Sequence, residues 1–314
     1  MRWVSEEPPP SQEILAQRGT LSTPGALGER PPSSDQAFND PKAPSLLPVD
    51  LTDLTRLHPE DYLHALFRQV FKGNSLAPLA FGKEGRILDV GTGTGRWAIE
   101  MAEALPNVQV YGLDLQAPQD ASARLHRPNH HPANYHFQPG NVLKRLPFID
   151  ESFDFVHQRF LLASVPPTQW YAIIRELMRV TRPGGWIELV EGGTVLLNQG
   201  SATRQWFSWW EALAARSGLD LYQISRLGEL VQQVEPTCQS SIIDLPVGAW
   251  GRQAGLLLQR HMLTVYDNFA AHAQRSGIAP TQVQAVRTQL QEEWQTRRSQ
   301  ARFFVVLAEK RRPG

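Results

Sequence analysis

A single cysteine, Cys238, stands in a chain of 314 residues. One thiol can form neither an intrachain disulfide nor a multi-cysteine zinc site, and such sparing use of cysteine fits a reducing interior. No stretch reaches the roughly 18 consecutive apolar residues that a membrane span requires. The opening Met1-Arg2-Trp3-Val4-Ser5-Glu6-Glu7 lacks the apolar core of a secretion signal. Net charge is missing as well: 31 Lys and Arg balance 31 Asp and Glu, so there is no overall pull towards nucleic acid or an anionic membrane. No internal repeat is present. These absences predict a cytoplasmic protein that binds neither nucleic acid nor membrane and whose ligands are small molecules.

The residues that are present describe one large α/β unit with additions, since 41% of the chain is hydrophobic. Residues 1–50 hold nine of the 24 prolines among Ser, Gln, Glu and Gly. Such a segment cannot bury enough apolar surface to offset the entropy of ordering, which predicts a disordered tail. Over residues 51–80, Leu63, Leu66, Phe67, Val70 and Phe71 recur at three- and four-residue spacing, the pattern of an amphipathic cap helix ending at Gly73. Strand-like runs then alternate with helical ones: strands at 86–90, 108–113, 135–138, 153–157 and 186–190, helices at 97–105 and 168–180. That alternation predicts a mostly parallel sheet with helices on both faces. Beyond Gly193 come helical stretches at 203–216 and 226–234, then strands at 240–245 and 302–308 flanking a helical insertion over 253–299. The late strands would close a sheet edge. The segments 194–235 and 253–299 would form a lid beyond the carboxyl ends of the strands, where doubly wound sheets bind ligands.

The strongest local signal is Asp89-Val90-Gly91-Thr92-Gly93-Thr94-Gly95, where the first strand passes into a helix. Glycines there let the chain turn sharply and let a ligand approach main-chain N–H groups with no Cβ in the way. A dinucleotide fingerprint would place glycine where Arg96 stands; the G-x-G-x-G spacing after an acidic residue favours S-adenosylmethionine over NAD. Asp114, ending the second strand, can accept hydrogen bonds from both ribose hydroxyls of a nucleoside. Asn141 offers an amide to a base edge, and Leu115 and Val142 can sandwich the ring. His157, ending the fourth strand, suits either a general base or a positioning group. Glu191, just past the fifth strand, could orient an acceptor or stay solvated. Trp206, Trp209, Trp210 and Leu213 form a helical apolar stripe, compatible with core packing or, through Trp206 and Trp210, with an aromatic acceptor pocket.

Three segments carry a family likeness: residues 87–99 around the glycine loop, residues 146–160 from Leu146-Pro147-Phe148 to Phe160, and Arg182-Pro183-Gly184-Gly185-Trp186-Ile187-Glu188. They resemble the class I methyltransferases and, more narrowly, the LaeA-like branch associated with secondary metabolism, in which a tryptophan follows the glycine loop and a histidine ends the fourth strand. The likeness extends over residues 55–310, including Asp244-Leu245-Pro246-Val247-Gly248-Ala249-Trp250. It implies a Rossmann-like fold with a seven-stranded sheet and S-adenosylmethionine as cofactor, contacted by Asp89, Gly91, Thr92, Gly93, Gly95, Asp114, Leu115, Asn141, Val142 and His157. His157 and Glu191 are then the catalytic candidates. Relatives often carry aspartate where Asn141 stands, so base recognition there would rest on a neutral amide oxygen. The implied activity is in-line methyl transfer to O, N or C of a small secondary metabolite, for which no metal is needed. The alternative is a non-catalytic, cofactor-binding regulatory module acting through protein partners. If the tail is dispensable, truncation before Leu51 should leave affinity for S-adenosylhomocysteine unchanged by titration calorimetry; a folded truncate that no longer binds would show that the tail closes over the site.

Overall fold

The computed structural model describes residues 59–82, 84–118 and 132–312. The proline-rich segment 1–50 lies outside the described residues. Seven strands form one sheet: β1 (Arg86–Val90), β2 (Gln109–Asp114), β3 (Tyr135–Pro139), β4 (Phe153–Arg159), β5 (Thr181–Leu197), β6 (Gln239–Pro246) and β7 (Gln300–Glu309). Their spatial order is β3-β2-β1-β4-β5-β7-β6. The first five pair in parallel, and β7 is inserted antiparallel between β5 and β6. This is the class I, Rossmann-like methyltransferase arrangement. The order reverses at β1, which places the carboxyl ends of β1 and its neighbours at the opening where such sheets bind ligands.

Helices cover both faces. Helix α1 (Pro59–Phe71) precedes the sheet; α2 (Arg96–Ala104) follows β1; α3 (Trp170–Val180) joins β4 to β5; α4 (Ser201–Arg216) and α5 (Leu227–Gln232) follow β5; and α6 (Arg252–Arg275) and α7 (Pro280–Thr296) lie between β6 and β7. Strand alternation sorts the core. Leu88, Val90, Val156, Leu189 and Val306 face α3 and α5. Ile87, Val110 and Phe155 face α2, and Val190, Phe303 and Val305 face a thick layer of α1, α4, α6 and α7.

Two features differ from the sequence expectation. Strand β5 spans seventeen residues, because Gly184 at φ 78° loops the chain out between two stretches of pairing with β4. The strand then runs past Gly193 to Leu197 along β7, with a register shift between Gly192 and Val195. A Cβ on Gly192 would stand 2.3 Å from the Phe303 ring and 2.7 Å from the Arg302 carbonyl oxygen, so only glycine fits there. Segment 194–235 is therefore helical only from Ser201 onward. Its first residues are strand, and α5 buries Leu227 and Val231 against the sheet face beside Leu177, since two apolar residues one turn apart gain more from the sheet than from solvent.

The helical layer is fastened by one carboxylate. Glu293 of α7 accepts the N–H groups of Gly200 at 3.0 Å, Ala202 at 2.8 Å and Thr203 at 3.0 Å, together with the Thr203 hydroxyl. An anion thus caps the first turn of α4, where N–H groups have no intrahelical partner. Trp294 donates its indole N–H to the same Thr203 hydroxyl. Glu293→Ala should lower stability by about 3 kcal/mol, as expected when several buried donors lose a charged acceptor, while Glu293→Gln retains part of it; denaturant unfolding of the two variants measures this.

Candidate functional site

Buried Ile87, Leu88 and Val90 anchor β1 in the core, and the chain leaves it through Gly91-Thr92-Gly93-Thr94-Gly95. All three glycines adopt positive φ, 73°, 55° and 74°, a region that penalises side chains. The turn is tied to β2, because the N–H groups of Gly91 and Thr92 both donate to the Leu113 carbonyl at 2.8 and 3.0 Å. Asp114 sits against the loop: one carboxylate oxygen accepts the Gly93 N–H at 2.9 Å and the other the Leu115 N–H at 2.7 Å. A carboxylate accepts about four hydrogen bonds, so lone pairs remain for a diol. Beside it Leu115 leaves 67% of its surface exposed, with Leu143 also exposed. Apolar side chains standing open next to an acceptor carboxylate and a side-chain-free loop suit the flat base and ribose of a nucleoside. Asn141 is less available, since its amide oxygen accepts the Leu143 N–H at 2.9 Å and is turned back into its own loop.

Beneath the loop lies a buried polar layer. Asp89 accepts the Thr92 hydroxyl at 2.7 Å and faces His157 Nδ1 at 2.8 Å. His157 is 1% exposed and stacks on Trp97, centroids 3.9 Å apart and planes 4° from parallel. The Trp97 indole N–H reaches the Asn74 carbonyl oxygen at 2.7 Å. Glu188 of β5, fully buried, accepts the N–H groups of Leu76 and Ala77 and the Ser75 hydroxyl. Helix α1 closes the layer from above: Asp61 accepts the Thr94 hydroxyl at 3.0 Å, and His64 lies between Arg159, 2.8 Å from its Nδ1, and Glu100, 2.9 Å from its Nε2. Burial holds His64 below its ordinary range, so its ring is neutral and can accept from the guanidinium.

Glu188, Asp61, His64, Glu100 and Arg159 are absent from the sequence-based candidates. One signal for Glu188 was available: in Trp186-Ile187-Glu188-Leu189-Val190 an acid interrupts a buried strand, and such an acid must find donors.

The remaining candidates lie inside the fold. Glu191 is fully buried, accepting the Gln158 amide at 2.6 Å and the N–H groups of Leu161 at 2.7 Å and Leu162 at 3.3 Å. Its carboxylate holds the loop after β4. Trp206 is fully buried among Tyr266, Phe207 and Trp294, and half-buried Trp210 stacks on it at 5.7 Å. The structure thus brings Asp89, the glycine loop, Asp114, Leu115 and His157 together, and places Trp206 in the helical core.

Residues 87–185 match the family model described as a methyltransferase domain. The methyltransferase str3 of Strobilurus tenacellus is 38% identical over 117 residues, 37% of this chain and 39% of that protein. The methyltransferase pytC of Aspergillus terreus is 29% identical over 83% of this chain and 81% of its own length. The secondary metabolism regulator laeA of Aspergillus flavus is 28% identical over 65% of this chain and 54% of its own length. The alignment with the Strobilurus protein spans well under half of that relative's length.

Burial pushes the Glu191 carboxyl up from 4.5 to about 7, against the opposing pull of Gln158 and the two backbone N–H groups. The folded protein therefore keeps this proton to higher pH than the unfolded chain does. The resulting stability is fully present below the unfolded value and is lost as pH rises through about 7, an effect of about 3 kcal/mol. Glu191→Gln should remove that loss, measured as denaturant unfolding free energies on the two sides of this range.

Proposed function

We propose that the chain is a class I methyltransferase that takes its methyl group from S-adenosylmethionine and methylates O, N or C of a small secondary metabolite. The observation that carries the reading is the side-chain-free loop of Gly91, Gly93 and Gly95 with the Asp114 carboxylate bonded to its centre. When bound, the sulfonium donor supplies an electrophilic methyl carbon for in-line displacement. Asp114 would accept the ribose hydroxyls, Leu115 and Val142 would flank the base, and the loop N–H groups would face the donor's polar atoms. The protein's main contribution is then to align acceptor, methyl and sulfur in a space closed to water.

The surroundings of His157 and Glu191 support holding roles for both. His157 is packed between Asp89 and Trp97 and fixes the loop from below, whereas Glu191 fixes the turn after β4. Acceptors that need no strong base suit such a site. Burial of Trp206 supports core packing for that residue and leaves half-buried Trp210 as the aromatic candidate on the acceptor side. The pytC protein, alike over most of both chains, bears a methyltransferase name, which supports turnover. Similarity to the laeA regulator supports the second reading, a cofactor-binding module that acts through a protein partner. Among the described residues no helix is long and apolar enough to cross a membrane.

Titration calorimetry should show S-adenosylhomocysteine bound by the wild type and no binding by a folded Gly93→Val variant. Asp114→Ala should weaken it by about 10- to 100-fold, the cost of losing a charged acceptor for buried hydroxyls. A methyl-transfer screen against metabolite extracts, read by mass gain, separates the two readings: binding with no turnover on any acceptor supports the regulatory one.

A further inference from the structure

Arg159 is the last residue of β4. Val90 pairs with Gln158 across β1 and β4, so Arg159 stands beside Gly91, where the glycine loop begins. Alternation puts its side chain on the same sheet face as His157, and the guanidinium meets α1 there, 2.8 Å from His64 Nδ1. The other contact described for it is with the Phe160 ring, over which the guanidinium carbon stands 5.9 Å from the centroid. Among the described residues no carboxylate lies within ion-pair distance of Arg159.

Acids are nevertheless close enough to be felt, namely Asp89, Glu188, Glu100 and Asp61. Each is already committed: Asp89 to Thr92 and His157, Glu188 to residues 75–77, Glu100 to His64, Arg68 and Arg96, and Asp61 to Thr94. Burial therefore outweighs their attraction and holds the Arg159 guanidinium below its ordinary range. A guanidinium has five N–H donors in a planar fork suited to a carboxylate. Here a neutral imidazole occupies one arm and aims the rest.

The strand order supplies the direction. Asp114 and Leu115, the nucleoside side of the site, lie at the end of β2, and Arg159 lies at the end of β4, with the β1 loop between them. Neighbouring strands are about 4.8 Å apart, so the two ends are separated by roughly 10 Å, a span suited to a nucleoside joined through sulfur to an amino acid and laid across the loop. A ligand whose nucleoside sits at Asp114 carries its amino-acid end towards β4.

We propose that Arg159, aimed by His64, receives the α-carboxylate of the donor's amino-acid moiety. This assignment rests on the methyl-donor reading above. It gives the cap helix a part in donor binding, because His64 supplies the acceptor that orients the guanidinium.

The test compares two ligands on the full chain by calorimetry: S-adenosylhomocysteine, and 5′-methylthioadenosine, which keeps nucleoside and sulfur but lacks the amino acid. The wild type should prefer the former. Arg159→Met should weaken S-adenosylhomocysteine by about 30-fold, or about 2 kcal/mol, as for loss of a forked charge-assisted contact, and leave 5′-methylthioadenosine unchanged. Arg159→Gln, which keeps a donor for His64 but no charge, should show the same selectivity and stands in if the Met variant does not fold. Equal weakening of both ligands, or none of either, overturns the assignment, as does a wild type that binds both equally. A wild type that binds neither instead overturns the methyl-donor reading itself.

Discussion

The Asp89 carboxylate, buried at the end of the central strand, is the contact on which the site's shape depends. One oxygen holds the Thr92 hydroxyl and thereby the curvature of the glycine loop; the other holds His157 and thereby the end of β4. A buried anion is costly unless its hydrogen bonds are made, so the positions of Thr92 and His157 are coupled. His157 is fixed a second time by its stack on Trp97, Trp97 by the Asn74 carbonyl, and the segment after Asn74 by Glu188 of the neighbouring strand. The ring of contacts returns to the sheet. A hydrogen-bonded network of this kind rigidifies a core more than its separate pairs would, and here it rigidifies the floor beneath the glycine loop.

This closure gives a physical reason for two residues that the sequence comparison noted only as a pattern, a tryptophan after the glycine loop and a histidine ending the fourth strand. They are the two rings of one stack. The family resemblance marked that pair, whereas local signals were enough for the glycine loop, Asp114, the cap helix and the alternation of strands and helices, because each of these is set by spacing within a few residues. Partners distant in sequence were not visible. Glu188 meets residues 75–77 from more than a hundred positions away, and Glu293 caps α4 from about ninety; no periodicity encodes such pairs. Trp206 and Trp210 were ambiguous for a related reason. A helical stripe states that one face is apolar without stating what covers it, and α6 and α7, which cover Trp206, arrive some fifty to ninety residues later.

Glu191 shows a further limit. Its position after a strand end suggested an open active-site acid, yet β5 continues to Leu197 because β7 pairs with it on both sides of the register shift between Gly192 and Val195. An antiparallel partner inserted late in the chain carries the strand beyond the point where the parallel neighbours end, and the carboxylate becomes interior. Its donors, Gln158 and the backbone after β4, are then the groups that a buried acid must recruit.

Helix α1 connects the two halves of the molecule. Its polar side reaches the glycine loop through Asp61 on Thr94 and the end of β4 through His64 on Arg159, while Leu66 and Phe67 on its apolar side are wholly buried with Phe303 and the inserted helices. Interiors are close-packed, so a helix held on both sides transmits displacement rather than absorbing it. A movement of α6 and α7 therefore has two routes: it carries α1 with it and disturbs Thr94 and Arg159, or it shears against α1 at the cost of buried apolar contact. Either way the inserted helices and the glycine loop share one helix, and displacement of one bears on the shape of the other.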